Sequence, residues 1–265
     1  MWLATQHMYI LCYNHPMLTI LQSGFHYSTT EGFVYGSSYT LAIILMVMVA
    51  VVGMIVQMRL KAVTRRYSEQ PSPRGMTGRE IAERMLHDHG IYNVMVTHVQ
   101  GHLTDHFDPT TMTINLSEDV YNSATITAAA VAAHECGHAV QHAEGYGPIR
   151  LRSQLVPLVN LSSRISGWVI LLGIVLMSVT NSATICWIGI ALVALSALFA
   201  VVTLPVEYNA SQRAVAWLES SGLLRDSELD GAHEALRWAA RTYLVAALSA
   251  IVTLLYYVAL IKNRR

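Results

Sequence analysis

Ala132-Ala133-His134-Glu135-Cys136-Gly137-His138-Ala139-Val140-Gln141 is the stretch around which the chain is read. The run before it, Ser123–Ala133, is rich in small and apolar residues and has neither glycine nor proline. A buried helix carrying both histidines is therefore predicted. On a helix, residues four apart share a face about 6 Å apart, so His134 and His138 can turn imidazole nitrogens onto one ion. Glu135 stands beside that face, where its carboxylate can take a proton from a water that a metal has acidified. A core helix that merely contained these three polar side chains would bury them without partners, at roughly 2–7 kcal/mol each.

A hydrolytic zinc site uses three protein ligands and keeps one position open, so a third donor is expected. His142 repeats the spacing but lies about 12 Å from His134 along a straight helix, too far for one ion. Glu144 stands where elongated motifs of this kind place a third ligand. Those motifs reverse the chain at a glycine, and Gln141 occupies that position. Glu207 is the stronger candidate, in Leu204-Pro205-Val206-Glu207-Tyr208-Asn209-Ala210-Ser211. Pro205 suits the first turn of a helix. Ser211, one turn beyond Glu207, offers a hydroxyl that could orient an imidazole. A glutamate favoured by the dipole at a helix start would look the same, and topology decides for the ligand.

That topology follows from composition. The 265 residues are 53% hydrophobic and 13% charged, with a mean hydropathy of +0.39, which points to a membrane protein. Tyr39–Val56 and Thr242–Ile261 are charge-free and long enough to cross about 30 Å of hydrocarbon. Trp168–Leu204 is also charge-free, with a break at Thr180-Asn181-Ser182 that predicts two crossings joined by a turn. A hairpin returns the chain to the face it left, bringing Glu207 to the side of His134 and His138.

The predicted fold is a mainly α integral membrane protein with about four transmembrane helices and a small α+β, zincin-like metalloprotease domain whose helix carries the motif. Residues 1–38 form an extension, read as disordered or as the product of too early a start. Residues 39–58 form the first transmembrane helix, 59–165 the metal-binding domain and 166–204 the transmembrane hairpin. Residues 205–241 make a helical segment with the third ligand, 242–261 the fourth transmembrane helix and 262–265 a basic tail. Within 59–165, Thr77 and Glu80 form a capping box for a helix ending at Gly90. Tyr92–Val99 reads as a strand, 101–109 as a loop, and Thr111–Leu116 as a second strand. That second strand is expected to lie at the sheet edge, where it could pair with an extended peptide.

The 17 basic and 17 acidic residues balance, and no basic cluster is interleaved with aromatics, so nucleic acid is not an expected partner. Cys12, Cys136 and Cys186 are scattered without a CxxC pair, so neither a disulfide framework nor a thiolate metal site is indicated. Two imidazoles and a carboxylate suit zinc as the cofactor.

From about Tyr39 to the C-terminus the chain resembles the YugP-like neutral zinc metallopeptidases of bacterial membranes. The resemblance rests on Gly101-His102-Leu103-Thr104-Asp105-His106-Phe107-Asp108-Pro109, Leu116-Ser117-Glu118-Asp119-Val120-Tyr121, Val131–Gln141, Leu151-Arg152-Ser153 with Leu155-Val156-Pro157, and Leu204–Ser211. It implies a membrane-embedded gluzincin related in layout to HtpX-like proteases, with His134, His138 and Glu207 at the metal positions and Glu135 at the catalytic one.

The expected function is zinc-dependent endopeptidase activity on a protein or peptide substrate at the lipid bilayer, with Glu135 as general base. The alternative is a metal-binding scaffold or assembly factor without hydrolysis, which would have no need of Glu135. A zinc transporter fits less well, because the candidate ligands lie outside the apolar spans. An oxyanion stabiliser is also required, and Tyr243, His233 and Arg213 are candidates that spacing does not separate.

Arg59, Lys61, Arg65 and Arg66 follow the first span, whereas residues 1–38 hold neither lysine nor arginine. The positive-inside rule then places the metal domain in the cytoplasm, beneath the plasma membrane. Lys262, Arg264 and Arg265 run against it unless Thr242–Ile261 packs at the membrane without crossing. In a cysteine-free background, single cysteines at Ser72 and Ser227 should both escape an impermeant reagent in intact cells. Labelling of both would reverse the orientation, and labelling of one alone would part Glu207 from the histidines.

Overall fold

The computed structural model describes residues 32–72 and 74–262. Most of the expected extension 1–38 and residues 263–265 of the basic tail lie outside them. Helix α1 (Gly32–Ser68) leads to a polar connection and then to α2 (Gly78–Asp88). The start of α2 is the predicted capping box: Thr77 Oγ1 accepts the Glu80 N–H at 3.3 Å while the Thr77 N–H donates to Glu80 Oε2 at 2.8 Å. Three short strands follow, β1 (Met95–Val99), β2 (His106–Asp108) and β3 (Thr113–Ser117). Then come a single turn α3 (Glu118–Tyr121) and α4 (Ile126–Ala143), capped by Thr125, whose hydroxyl accepts the Ala128 N–H. Three long helices complete the chain: α5 (Gly147–Thr180), α6 (Thr184–Ser220) and α7 (Ser227–Lys262). Four helices, Thr40–Ser68 of α1 together with α5, α6 and α7, are long and apolar enough to cross a membrane.

The strand order is β1-β3-β2, with β3 parallel to β1 and antiparallel to β2. The expectation that Thr111–Leu116 forms an edge is therefore corrected. β3 is the central strand, hydrogen-bonded on both sides, with Ile114 and Leu116 fully buried beneath it. The edge next to α4 is β2, in a segment expected to be a loop. Its three residues are too few to register as an alternating pattern.

The chain divides into two units. The first comprises residues 55–151 and 203–244. Its core joins Ile81 and Met85 of α2, Ile114 and Leu116 of β3, the alanine face of α4, and Leu218 of α6. Alanines on α4 keep side chains short, so neighbouring elements pack close to its backbone.

Among described residues the second unit comprises 32–54, 152–202 and 245–262. Here α5 and α6 form the predicted hairpin, turning at Asn181 with φ +56°. The two helices pack at small residues: a Cβ on Gly173 would fall 2.7 Å from the Cys186 nitrogen. Pro205 does not start a helix as expected but lies inside α6, which runs unbroken from Thr184 to Ser220. No glycine or polar turn residue precedes it to end the helix, and one missing hydrogen bond in a long apolar helix is tolerated.

Candidate metal centre

The first unit is built around the crossing of α4 and α6, and Gly137 sets its distance. A Cβ there would fall 2.6 Å from the Ala210 carbonyl oxygen, so any other residue would push the helices apart. The close approach places Glu207, three residues before Ala210, opposite the histidines on either side of Gly137. His138 and Glu207 are fully buried and the His134 side chain is 12% exposed.

The donor atoms form a triangle. His134 Nε2 and His138 Nε2 are 3.2 Å apart, and Glu207 Oε2 lies 3.3 Å from the first and 3.6 Å from the second. Ligands about 2.0–2.1 Å from a tetrahedral zinc ion stand about 3.3 Å from one another, so the triangle has the dimensions of three corners of such a site. Neither carboxylate oxygen of Glu207 receives a hydrogen bond. A fully buried carboxylate in that state costs several kcal/mol, on the order of what a bound cation would offset. These three residues form the group that could hold a metal ion among the described residues.

Hydrogen bonds fix which imidazole nitrogen faces the triangle. Gln141, fully buried, donates through Nε2 to the Val206 carbonyl at 2.8 Å and to Asn209 Oδ1 at 2.9 Å. Its Oε1 therefore faces His138 Nδ1, at 3.0 Å, which must donate. That leaves the lone pair of His138 on Nε2, toward Glu207. For His134, Ser211 Oγ lies 3.2 Å from Nδ1, within reach to accept its proton and hold the ring.

A cavity opens on this triangle, lined by Leu103, Asp105, Val131, His134, Glu135, Glu207, Ser211 and the α7 residues Leu236, Ala239, Ala240 and Tyr243. Glu135 is 3% exposed, and its Oε2 accepts the Phe107 N–H from the edge of β2 at 3.0 Å. Asp105 is tied to Ser117, accepting its N–H at 2.7 Å and its hydroxyl at 3.0 Å. Burial, reinforced by the charge of Glu135, raises the Asp105 carboxyl to about 6 despite those bonds.

The other sequence candidates lie elsewhere. Glu144 pairs with Arg213 at 2.6 Å rather than with the histidines. His142 packs its ring against Phe107 on an unbroken helix. Arg213 also donates to Asn209 Oδ1, and His233 is exposed on α7. Sequence reasoning missed Asp105, Asn209 and the role of Gln141. For Gln141 the signal was present, since i, i+3 spacing puts it over His138 on one helix face.

Replacing Gln141 by leucine strips His138 Nδ1 and the Val206 carbonyl of their partner, and zinc affinity in a chelator competition should fall about 10–100-fold. Glu144→Ala should leave it unchanged. Because the folded Asp105 carboxyl is raised above its unfolded value, its contribution is fully present below about pH 4 and lost as pH rises through about 6. In the metal-free protein this drop approaches about 3 kcal/mol. Thermal unfolding between pH 4 and 7.5 should show it in the wild type and not in Asp105→Asn.

Residues 42–262 match the family described as "Putative neutral zinc metallopeptidase". The chain is also similar to the "Putative membrane protease YugP" of Bacillus subtilis (strain 168), with 41% identity over 209 residues, 79% of this chain and 91% of the relative. No solved structure matches. The family assignment and the buried His134–His138–Glu207 triangle agree, and the chain belongs to the family of putative neutral zinc metallopeptidases.

Proposed function

We propose that the protein is a membrane-embedded zinc metalloendopeptidase of the gluzincin type, with a zincin-like domain that hydrolyses peptide bonds of protein substrates. It would lie in the plasma membrane as a multi-pass protein with its site toward the cytoplasm. The observation that carries the reading is the Glu207 carboxylate, buried without a hydrogen bond and facing two imidazole nitrogens, in a cavity that also holds Glu135. His134, His138 and Glu207 would hold the ion. Bound there, zinc supplies a Lewis acid that acidifies water and polarises a carbonyl.

The chain's own residues do the rest. Glu135 takes a proton from the attacking water as the new C–O bond forms and delivers it to the amide nitrogen as the C–N bond breaks. The Phe107 N–H holds one oxygen of Glu135 and so fixes its carboxylate, leaving proton transfer to the other. An extended substrate would lie along β2, whose edge faces Glu135 at Phe107. The apolar wall of Leu103, Val131, Leu236, Ala239 and Ala240 would exclude water from the reacting bond.

The deciding experiment is proteolysis of a casein-like unfolded substrate by the purified protein, with and without a chelator. Glu135→Gln should retain about one zinc per chain and lose turnover by on the order of 10²-fold or more, whereas His134→Ala and Glu207→Ala should lose the metal. Elemental analysis alongside turnover separates the two classes. Full turnover in Glu135→Gln would sink the mechanism. A zinc-loaded wild type without turnover would return the site to a scaffold role.

A further inference from the structure

We infer that Asn115 is the residue that positions Glu135 for proton transfer, acting through the edge strand β2 by a row of hydrogen bonds that crosses the whole sheet. The inference rests on the peptidase reading and concerns how its general base is held. Strand register is the starting point. Asn115 of β3 pairs with Thr97 of β1 on one side and with His106 of β2 on the other, so the three side chains stand in one row. Side chains alternate along a strand, and the next row, Val96, Ile114 and Phe107, therefore takes the opposite face. That face is the inner one: Ile114 is fully buried and Phe107 is 5% exposed. The Phe107 N–H, one residue from His106, is the donor that holds Glu135.

The Asn115 row is bonded from end to end, and its direction is set at β2. His106 Nδ1 lies 2.7 Å from the Thr104 carbonyl oxygen, which can only accept, so Nδ1 carries the proton. Nε2 of the neutral ring is then an acceptor, and the Asn115 amide, 3.2 Å away, donates to it. The same amide nitrogen also donates to Thr113 Oγ1 at 3.0 Å. Asn115 Oδ1 is thereby turned toward β1, where it accepts the Thr97 hydroxyl at 2.7 Å. Thr97, His106 and Asn115 are all half-buried, which limits competition from water. One amide group thus ties β2 to the central strand and, through it, to the far edge of the sheet. β2 has three residues and a correspondingly short ladder with β3, so this tie adds much of what holds it in place. A shift of β2 carries the Phe107 N–H and the carboxylate oxygen bonded to it, and the other oxygen, which takes the proton of the attacking water, swings with them. A misplacement on the order of 1 Å at a reacting group costs about 10²-fold in rate.

Asn115→Leu keeps the size of the side chain and removes the row. His106→Phe keeps the ring and removes the acceptor, whereas His106→Gln keeps an acceptor at the place of Nε2. In purified zinc-loaded protein, Asn115→Leu and His106→Phe should match wild type in zinc per chain. Their kcat on a fluorogenic peptide should fall about 10–10²-fold, with a much smaller change in KM. His106→Gln should retain most of the turnover. Hydrogen exchange at the Phe107 amide should quicken about tenfold in the first two variants and hardly in the third, as expected for loss of about one hydrogen bond. Nitrogen NMR of histidine-labelled wild type should show His106 as the Nδ1–H tautomer. Wild-type kcat in Asn115→Leu would overturn the inference, as would an Nε2–H tautomer or equal losses in His106→Phe and His106→Gln. A fall in kcat that appears only with loss of zinc would also overturn it, since the row would then serve the fold rather than Glu135. If the zinc-loaded wild type cleaves nothing, the peptidase reading fails, while faster Phe107 exchange in Asn115→Leu would still assign the hold on Glu135 to Asn115.

Discussion

The contact between Gly137 and the Ala210 carbonyl is the constraint on which the candidate site depends. The ligand triangle and the hydrogen-bond partners of its imidazoles come from the two helices that it joins. From α4 come His134, His138 and Gln141; from α6 come the Val206 carbonyl, Glu207, Asn209 and Ser211. A side chain at position 137 would separate them by more than a metal–ligand bond can stretch, and the damage would fall on every one of these contacts at once. The same closeness buries Glu207 without a hydrogen-bond donor, and an ion between the helices would compensate the carboxylate. Folding of this crossing would thereby be coupled to the binding of a metal ion.

Three carboxylates share the cavity, and each is held by a different kind of group. Glu207 faces imidazoles, Glu135 accepts a main-chain N–H from β2, and Asp105 accepts both donors of Ser117 at the end of β3. The least favourable place falls to Asp105, whose burial and proximity to Glu135 raise it to about 6. Asp105 and Phe107 are two residues apart, so a short piece of chain at the sheet edge positions Glu135 with its backbone and sets the local charge with a side chain. A small sheet suffices because β3, fixed on both sides, holds β2 in register.

Much of this was legible in the sequence because the relevant signals are local. Spacing four apart on a helix predicts the histidine pair, Thr77 and Glu80 predict the start of α2, and the charge-free run around Thr180-Asn181-Ser182 predicts the α5–α6 turn. Glu207 was legible only through topology. What stayed hidden depends on packing between distant segments. Strand order cannot be read from three-residue β2, so β3 was misplaced at an edge. Pro205 looked like a helix start because the sequence does not reveal that α6 continues through it. Asp105 lay in a stretch read as loop, and its burial comes from α4 and Ser117, not from its neighbours in sequence.

Arg213 and Glu144 looked like chemistry in the sequence and act instead at a distance. A guanidinium has no lone pair, so the bond from Arg213 Nε to Asn209 at 2.8 Å can run in one direction only. Asn209 must present its oxygen there, and that oxygen also receives the Gln141 amide. Gln141 is thereby turned with its own oxygen toward His138, which must carry its proton on Nδ1 and its lone pair on Nε2. Glu144, at 2.6 Å, anchors the arginine at the outer end. A surface ion pair of little energetic weight thus gives direction to a buried chain of hydrogen bonds. The polarity of that chain, rather than its strength, is what points His138 at the ligand triangle.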